Sequence, residues 1–265
     1  MNKPVVLITG ASSGIGKSTA QLFSANGYQV FGTSRSLQES IDSITMLQLD
    51  VTSAESVTNC VQQVIDSAGR IDVLVNNAGI VQVAALEETS IEESSLVYET
   101  NYFGAIRVTQ AVLPHMRAQN GGHIIGVASL ASRVSLPTMG TYAATKAALA
   151  ALYESLRGEV KQFGIKVAIV EPGSHKTSLG SSTLLPQNPL SAYDNMRKAV
   201  DTAAQEAADK APSPDAVAKK IFQIAQKAAP NFRHLVGTDA KMLSLLKLIL
   251  PERIYEGLLK KALKI

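Results

Sequence analysis

Short runs of apolar and β-branched residues alternate along the chain with longer stretches of helical periodicity. The runs PVVLIT (4–9), QVFGTS (29–34), TMLQL (45–49), IDVLVN (71–76), GHIIGVA (122–128), IKVAIV (165–170) and FRHLV (232–236) are strand candidates. Most are apolar throughout rather than alternating, as strands covered on both faces are. Helical stretches lie at about 15–26, 53–68, 92–118, 140–163 and 214–228. The repeated β-α-β order predicts an α/β fold, a doubly wound and mostly parallel sheet with right-handed crossovers. With 265 residues, 46% of them hydrophobic, residues 1–265 are expected to form a single domain around one core.

Two regions depart from this rhythm. Residues 174–214 show no clear strand and are punctuated by Pro186, Pro189, Pro212 and Pro214. A connection this long, following the sixth strand on the side where α/β sheets bind ligands, is expected to be a substrate lid. Residues 238–265 read as a C-terminal helical extension, with Ile254, Leu258, Leu259, Ala262 and Leu263 on one face and lysines opposite. Packing on the sheet edge or the lid is the expectation. A membrane-surface contact suits a basic amphipathic helix as well, and a subunit contact would make a homodimer.

Composition narrows the function classes. The net charge is +3, and residues 241–265 carry six basic against two acidic side chains, a net of +4, so the rest of the chain sums to −1. Basic character confined to a tail gives no reason to expect a nucleic-acid partner. The lone Cys60 excludes a disulfide framework, and no metal is expected. Strand-like sequence from Pro4 leaves no room for a signal peptide, and no apolar run approaches the roughly 18 residues of a membrane span. A cytoplasmic protein is expected.

The first strand runs into Gly10, Ser12, Ser13, Gly14, Ile15 and Gly16, with Lys17 and Ser18 behind them. Glycines at a strand-to-helix turn let an anion approach the free N–H groups of the helix. From Ala11 the stretch is a P-loop with Ala for its first Gly. From Gly10 it is T-G-x-x-x-G-x-G, with the physical parts of a dinucleotide turn. Asp50 after the third strand could hold Mg²⁺ in the first case, but nothing further in the chain handles a γ-phosphate.

The second case gathers support downstream. The fourth strand ends in Asn76-Asn77-Ala78-Gly79, small and amide residues that leave room for a flat ligand. Tyr142 and Lys146, four apart, share one helix face, and an ammonium beside a phenol lowers its pKa and makes it an acid/base. Ser129 follows the fifth strand thirteen positions before Tyr142, where its hydroxyl could hold a substrate oxygen.

TGASSGIG at 9–16, Asp50-Val51-Thr52, NNAG at 76–79, Asn101, Ser129, YAATK at 142–146 and Pro172-Gly173, in this order and spacing, resemble the short-chain dehydrogenase/reductase family from residue 5 to about 178. The resemblance implies a Rossmann-type sheet of order 3-2-1-4-5-6-7 and hydride transfer between a nicotinamide and a carbonyl or alcohol. It makes Tyr142 the proton donor or base, and Lys146 its modulator and a ribose ligand. Ser129 becomes the residue that orients substrate, ahead of the nearby Ser132 and Ser135. Asn101 bends its helix and holds a water in a proton relay. Gly10, Ser12, Ser13, Gly14, Ile15 and Gly16 are then expected at the pyrophosphate, and Asp50 and Val51 at the adenine. Asn77, Ala78 and Gly79 are expected beside the adenosine, and Pro172, Gly173 and Thr177 near the nicotinamide.

Members that prefer NAD(H) end their second strand in an acidic residue. Here Ser34 and Arg35 stand there, which points to NADP(H), a guanidinium being suited to a 2′-phosphate. His175 departs from the aliphatic residue usual after the Pro-Gly. The tail resembles that of bacterial relatives of retinol and 17β-hydroxysteroid dehydrogenases and implies a small hydrophobic carbonyl or alcohol substrate. The expected function is therefore an NADP(H)-dependent oxidoreductase of the CH–OH/C=O type. A catalytically silent nucleotide-binding sensor or scaffold is the alternative.

Overall fold

The computed structural model describes residues 3–36, 38–40, 43–176 and 183–263. Seven strands form a parallel sheet: β1 (Val5–Ile8), β2 (Gln29–Ser34), β3 (Ile44–Gln48), β4 (Val73–Asn76), β5 (Gly122–Val127), β6 (Ile165–Pro172) and β7 (Arg233–Val236). Their order across the sheet is 3-2-1-4-5-6-7. Helices α1 (Gly14–Ala25) and α7 (Asp215–Ala225) cover one face, and α2 (Ala54–Ala68), α4 (Gly104–Ala118) and α5 (Gly140–Glu159) the other.

This arrangement explains the continuous apolar runs. Along β1, Val5 and Leu7 enter the core under α2, α4 and α5, while Val6 and Ile8 enter the core under α1 and α7. Val167 and Ile169 of β6 divide from Ala168 and Val170 in the same way. Successive side chains point to opposite faces, and both faces are dry, so both parities must be apolar.

Helix ends follow local chemistry. Ser53 caps α2 by accepting from Ser56 N, and Gly69 ends it in the left-handed region at φ 72°. Ser90 and Glu93 form a reciprocal capping box on α3 (Ile91–Tyr98). The expected 92–118 helix is present, and it runs through a π turn over Glu99–Phe103 that divides it into α3 and α4. The expected 140–163 helix ends at Glu159, and a short 3-10 turn follows at Lys161–Phe163.

The region after β6 is more structured than its prolines suggest. Thr183–Leu184 pairs in parallel with Val81–Gln82, and α6 spans Asp194–Lys210. The C-terminal extension is two helices, α8 (Thr238–Ile249) and α9 (Glu252–Leu263), on either side of Pro251. The apolar face expected on α9 is met only in part: Leu263 turns inward and Leu259 is half-buried, together with Tyr255, whereas Ile254 and Leu258 are exposed. Among the described residues no helix is long and apolar enough to cross a membrane.

Candidate active site

The C-terminal ends of β1, β4, β5 and β6 converge on one place, and each delivers its motif there. After β1 the chain turns through Gly10 at φ 66° and Gly14 at φ 52°. Asn77 fastens this turn to the end of β4, its amide donating to the carbonyls of Thr9 and Gly10 at 2.9 Å each. The Thr9 hydroxyl accepts from Asn77 N and Ala78 N, also at 2.9 Å. A Cβ on Gly16 would collide with the Gly10 carbonyl oxygen, so the first turn of α1 presses directly on the loop. That first turn holds no acidic residue. Ile15 and Gly16 are buried in it, and Ser12 and Ser13 stand on the open side. Bare backbone at a helix N-terminus without an opposing carboxylate fits a pyrophosphate.

The residues expected at the adenosine stand at the ends of the second and third strands. Ser34 is buried at the end of β2 and donates to the Ser36 carbonyl, and Arg35 is exposed beyond it. The Asp50 carboxylate accepts from Thr52 N at 2.9 Å and Thr52 Oγ1 at 2.7 Å. Those bonds hold it below the usual carboxylate range, with the charges of Arg35 and Arg107 adding to them. Buried Val51 stands where a Cβ on Gly104 would meet it at 2.7 Å, so α4 approaches this edge closely.

Asn101 lies in the π turn and is 1% exposed. Its side chain mimics a strand partner for Ile80: Oδ1 accepts from Ile80 N and Nδ2 donates to Ile80 O, both at 2.8 Å. Nδ2 also donates to Thr145 Oγ1 at 3.2 Å, and that hydroxyl donates to Tyr142 O at 2.7 Å. A Cβ on Gly79 would lie 3.0 Å from Asn101 Oδ1 and 3.4 Å from Lys146 Nζ, so Asn101 and Lys146 meet over a residue without a side chain.

Lys146 is buried in α5 and donates to Val127 O at 3.0 Å, with Nζ 5.8 Å from the centroid of the Tyr142 ring. Burial pulls the ammonium pKa down to about 8. The Ser129 hydroxyl, which accepts from Ala131 N at 3.1 Å, interacts with the Tyr142 phenol in the sense that favours its ionised form. The lowered phenol pKa expected from sequence is not what this environment produces. Desolvation pushes the phenol up, and the interaction with Ser129 offsets only part of that. In the free protein the Tyr142 phenol is buried and its pKa lies above the ordinary phenol value.

Ser132, the rival of Ser129, is committed elsewhere, its hydroxyl lying 2.7 Å from the Ser129 carbonyl and 2.8 Å from Glu171 Oε1. Ser135 is exposed.

At the end of β6, Gly173 N donates to Val236 O at 2.9 Å. A Cβ on Gly173 would collide with the carboxylate of Asp239, which accepts from Ser174 N at 2.7 Å. His175 lies 3.1 Å by Nδ1 from the Gly173 carbonyl, and its buried Nε2 has no partner. Gln82 Nε2 and Thr138 Oγ1 are likewise buried and unpaired. Thr177 lies outside the described residues. Sequence reasoning missed Thr9, Glu171 and Asp239, whose partners lie far along the chain.

The segment after the glycine-rich end of β4 grips the region after β6. Glu88 is buried, accepting from Leu190 N at 2.7 Å and pairing with Arg197. Glu93 accepts from Gln187 N at 2.9 Å, and Glu87 accepts from the Tyr193 hydroxyl at 2.6 Å.

A family model for short chain dehydrogenases matches residues 4–187. The chain is 39% identical over 247 residues to a 3-ketodihydrosphingosine reductase of Bacteroides thetaiotaomicron, covering 92% of this chain and 91% of that one. It is 29% identical over 273 residues to an NADPH-dependent 3-dehydrocapnine reductase of Ornithobacterium rhinotracheale, covering 97% and 96%. Its backbone matches the crystal structure of a short-chain dehydrogenase from Streptomyces avermitilis with a TM-score of 0.84 at 34% identity, over 93% and 92% of the two chains. Likeness of this extent, carried by a sheet of the expected strand order, makes the chain a member of the short chain dehydrogenase family.

Proposed function

We propose that this protein is an NADP(H)-dependent oxidoreductase that interconverts a ketone or aldehyde and its alcohol on an amphiphilic, largely hydrophobic substrate. The observation that carries this reading is the array of half-buried Ser129 and buried Tyr142, Lys146 and Asn101 beside the glycine turn. When bound, the cofactor supplies hydride for reduction and accepts it in oxidation. Gly10, Ser12, Ser13, Gly14, Ile15 and Gly16 hold its pyrophosphate. Asp50, Val51, Asn77, Ala78 and Gly79 flank its adenosine, and Pro172 and Gly173 its nicotinamide.

Tyr142 is protonated at neutral pH, so it donates to the substrate oxygen in reduction and takes the proton back in oxidation. The Ser129 hydroxyl holds that oxygen. The Lys146 ammonium stabilises the phenolate left behind and binds the ribose. Asn101 keeps the 79–80 segment and α5 in register, and so keeps Lys146 in place.

The region after β6 acts as a lid, its residues 187–197 tied down through Glu87, Glu88 and Glu93. Leu86, Ile91, Leu185 and Leu190, exposed on the two tied segments, favour an apolar substrate. The unpaired Gln82, Thr138 and His175 atoms favour one that also carries polar groups. The names of the two reductases above, each denoting reduction of a 3-oxo group, support a ketone of this kind.

Arg35 is the 2′-phosphate ligand. A charge-assisted bond of this type contributes about 1.5–3 kcal/mol, or roughly 10- to 150-fold in relative affinity. The test is a nicotinamide-absorbance assay with long-chain ketones, comparing kcat/KM for NADPH and NADH in the parent and in Ser34→Asp/Arg35→Ala at low ionic strength. The parent should prefer NADPH and the variant should lose that preference. A parent that favours NADH would overturn the cofactor assignment. A parent that binds NADPH but turns over no carbonyl in the panel would favour the silent sensor instead.

A further inference from the structure

Glu171 ends the apolar run of β6 with a carboxylate that is fully buried, one residue before Pro172-Gly173. A charge in that position is tolerated only if every oxygen is matched. Oε1 accepts from Ser132 Oγ at 2.8 Å and from Arg233 Nη1 at 2.9 Å. Oε2 accepts from Arg133 Nε at 2.9 Å, with Arg133 Nη2 at 2.8 Å.

These partners fall into two groups. Arg233 belongs to β7, so one side of the cluster is rigid sheet. Ser132 and Arg133 belong to the short turn that begins at Ser129. Within that turn Ser132 N donates to Ser129 O at 3.0 Å, and Arg133 N donates to Leu130 O at 2.9 Å. The turn is a single 3-10 piece over Leu130–Ser132, too short to hold a geometry by itself. Its far side is held by Lys247 of α8, which donates to Arg133 O at 2.7 Å from an exposed position. The bonds to Glu171 are the ones that tie the Ser132 and Arg133 side chains of this turn to the sheet.

We propose that Glu171 is a positioning residue for the reaction: by clamping the 129–133 turn to β6 and β7, it sets the Ser129 hydroxyl against the Tyr142 phenol. It touches neither substrate nor cofactor and acts through Ser129. The inference rests on the proposed roles of Ser129 and Tyr142. A purely structural ion cluster would instead stabilise the fold without acting through Ser129.

A double-mutant cycle separates the two. Glu171→Gln keeps the shape but turns an N–H donor toward the donors of Arg133. The parent, Glu171→Gln, Ser129→Ala and the double variant are compared for kcat on a reducible ketone, KM for NADPH, NADPH binding by fluorescence, and thermal unfolding. Glu171→Gln should lower kcat about ten-fold or more, within the range of coupling between residues in contact, while NADPH binding stays at the parent value. In the Ser129→Ala background the same substitution should cause no further loss. Two independent losses that multiply in the double variant would overturn the proposal, as would a Glu171→Gln protein with parental kcat. If Glu171→Gln does not fold, Ser132→Ala removes one hydrogen bond of the tether while the pairs of Glu171 with Arg133 and Arg233 stay in place, and the same non-additivity is required of it. Full activity in Ser129→Ala would sink the reading of the site itself, a result distinct from failure of the Glu171 clamp.

Discussion

Replacing Asn101 by Ala removes three hydrogen bonds from a side chain that is 1% exposed. Thr145 keeps a partner, because its hydroxyl still donates to Tyr142 O. The cost therefore falls on Ile80, whose N–H and C=O both lose their partner. A buried backbone group left unmatched costs about 1–3 kcal/mol. Ile80 is only half-buried, so water reaches it in part and the two groups together should cost about 2–4 kcal/mol. For a chain of this length each kcal/mol moves Tm by roughly 2–4 °C, which gives a fall of roughly 4–16 °C. The loss also frees the 79–80 segment over which Lys146 lies, so kcat should drop by at least the roughly ten-fold expected of a misplaced catalytic group. The assays are thermal and denaturant unfolding followed by circular dichroism, and steady-state reduction of the best ketone. Asn101→Asp serves as the comparison, since it retains an acceptor for Ile80 N but no donor for Ile80 O. An Asn101→Ala protein with an unchanged Tm and parental kcat would refute the idea that this side chain holds the segment.

Three further outcomes are expected. Tyr142→Phe keeps the buried ring but removes the transferable proton, so turnover should fall to background while NADPH binding, read by fluorescence, persists; more than a tenth of parental activity would reassign the acid. The depressed Lys146 pKa of about 8 sets a pH limb: the ammonium is present below it and lost above it. The phenol, raised above its ordinary value, stays protonated there, so kcat/KM for reduction should decline as pH climbs through 8, and a flat profile from pH 7 to 9 would count against the lysine. Glu88→Gln breaks the pair with Arg197 and weakens the hold on Leu190 N; substrate KM should rise about ten-fold with cofactor affinity unchanged, and an unchanged KM would mean that residues 183–197 do not cover the substrate.

Much of this molecule was legible in its order of residues. The central strands announced themselves because they are dry on both faces, which forces continuous apolar runs such as Val5–Ile8 and Ile165–Val170, whereas the edge strands β3 and β7 keep partly exposed side chains. Glycine marked the turn after β1 because positive φ and a missing Cβ are needed there. The Tyr142–Lys146 spacing followed from the helical period alone. Local rules were weaker where burial was thin: α6 went unrecognised because, among its described side chains, only Val200 is buried.

What the sequence could not decide were properties that exist only once distant segments meet. The π turn at Glu99–Phe103 encloses a side chain bonded to Ile80, 21 residues away. Ser132 lost its claim on substrate because Glu171, 39 residues on, took its hydroxyl. Asp239 occupies the space beside Gly173 from 65 residues away in Ser174's hydrogen bond. The sign of the Tyr142 shift was reversed by the same cause. A pair spacing reports that an ammonium is near, but desolvation depends on everything that packs around the phenol, and that sum is fixed by the tertiary structure alone.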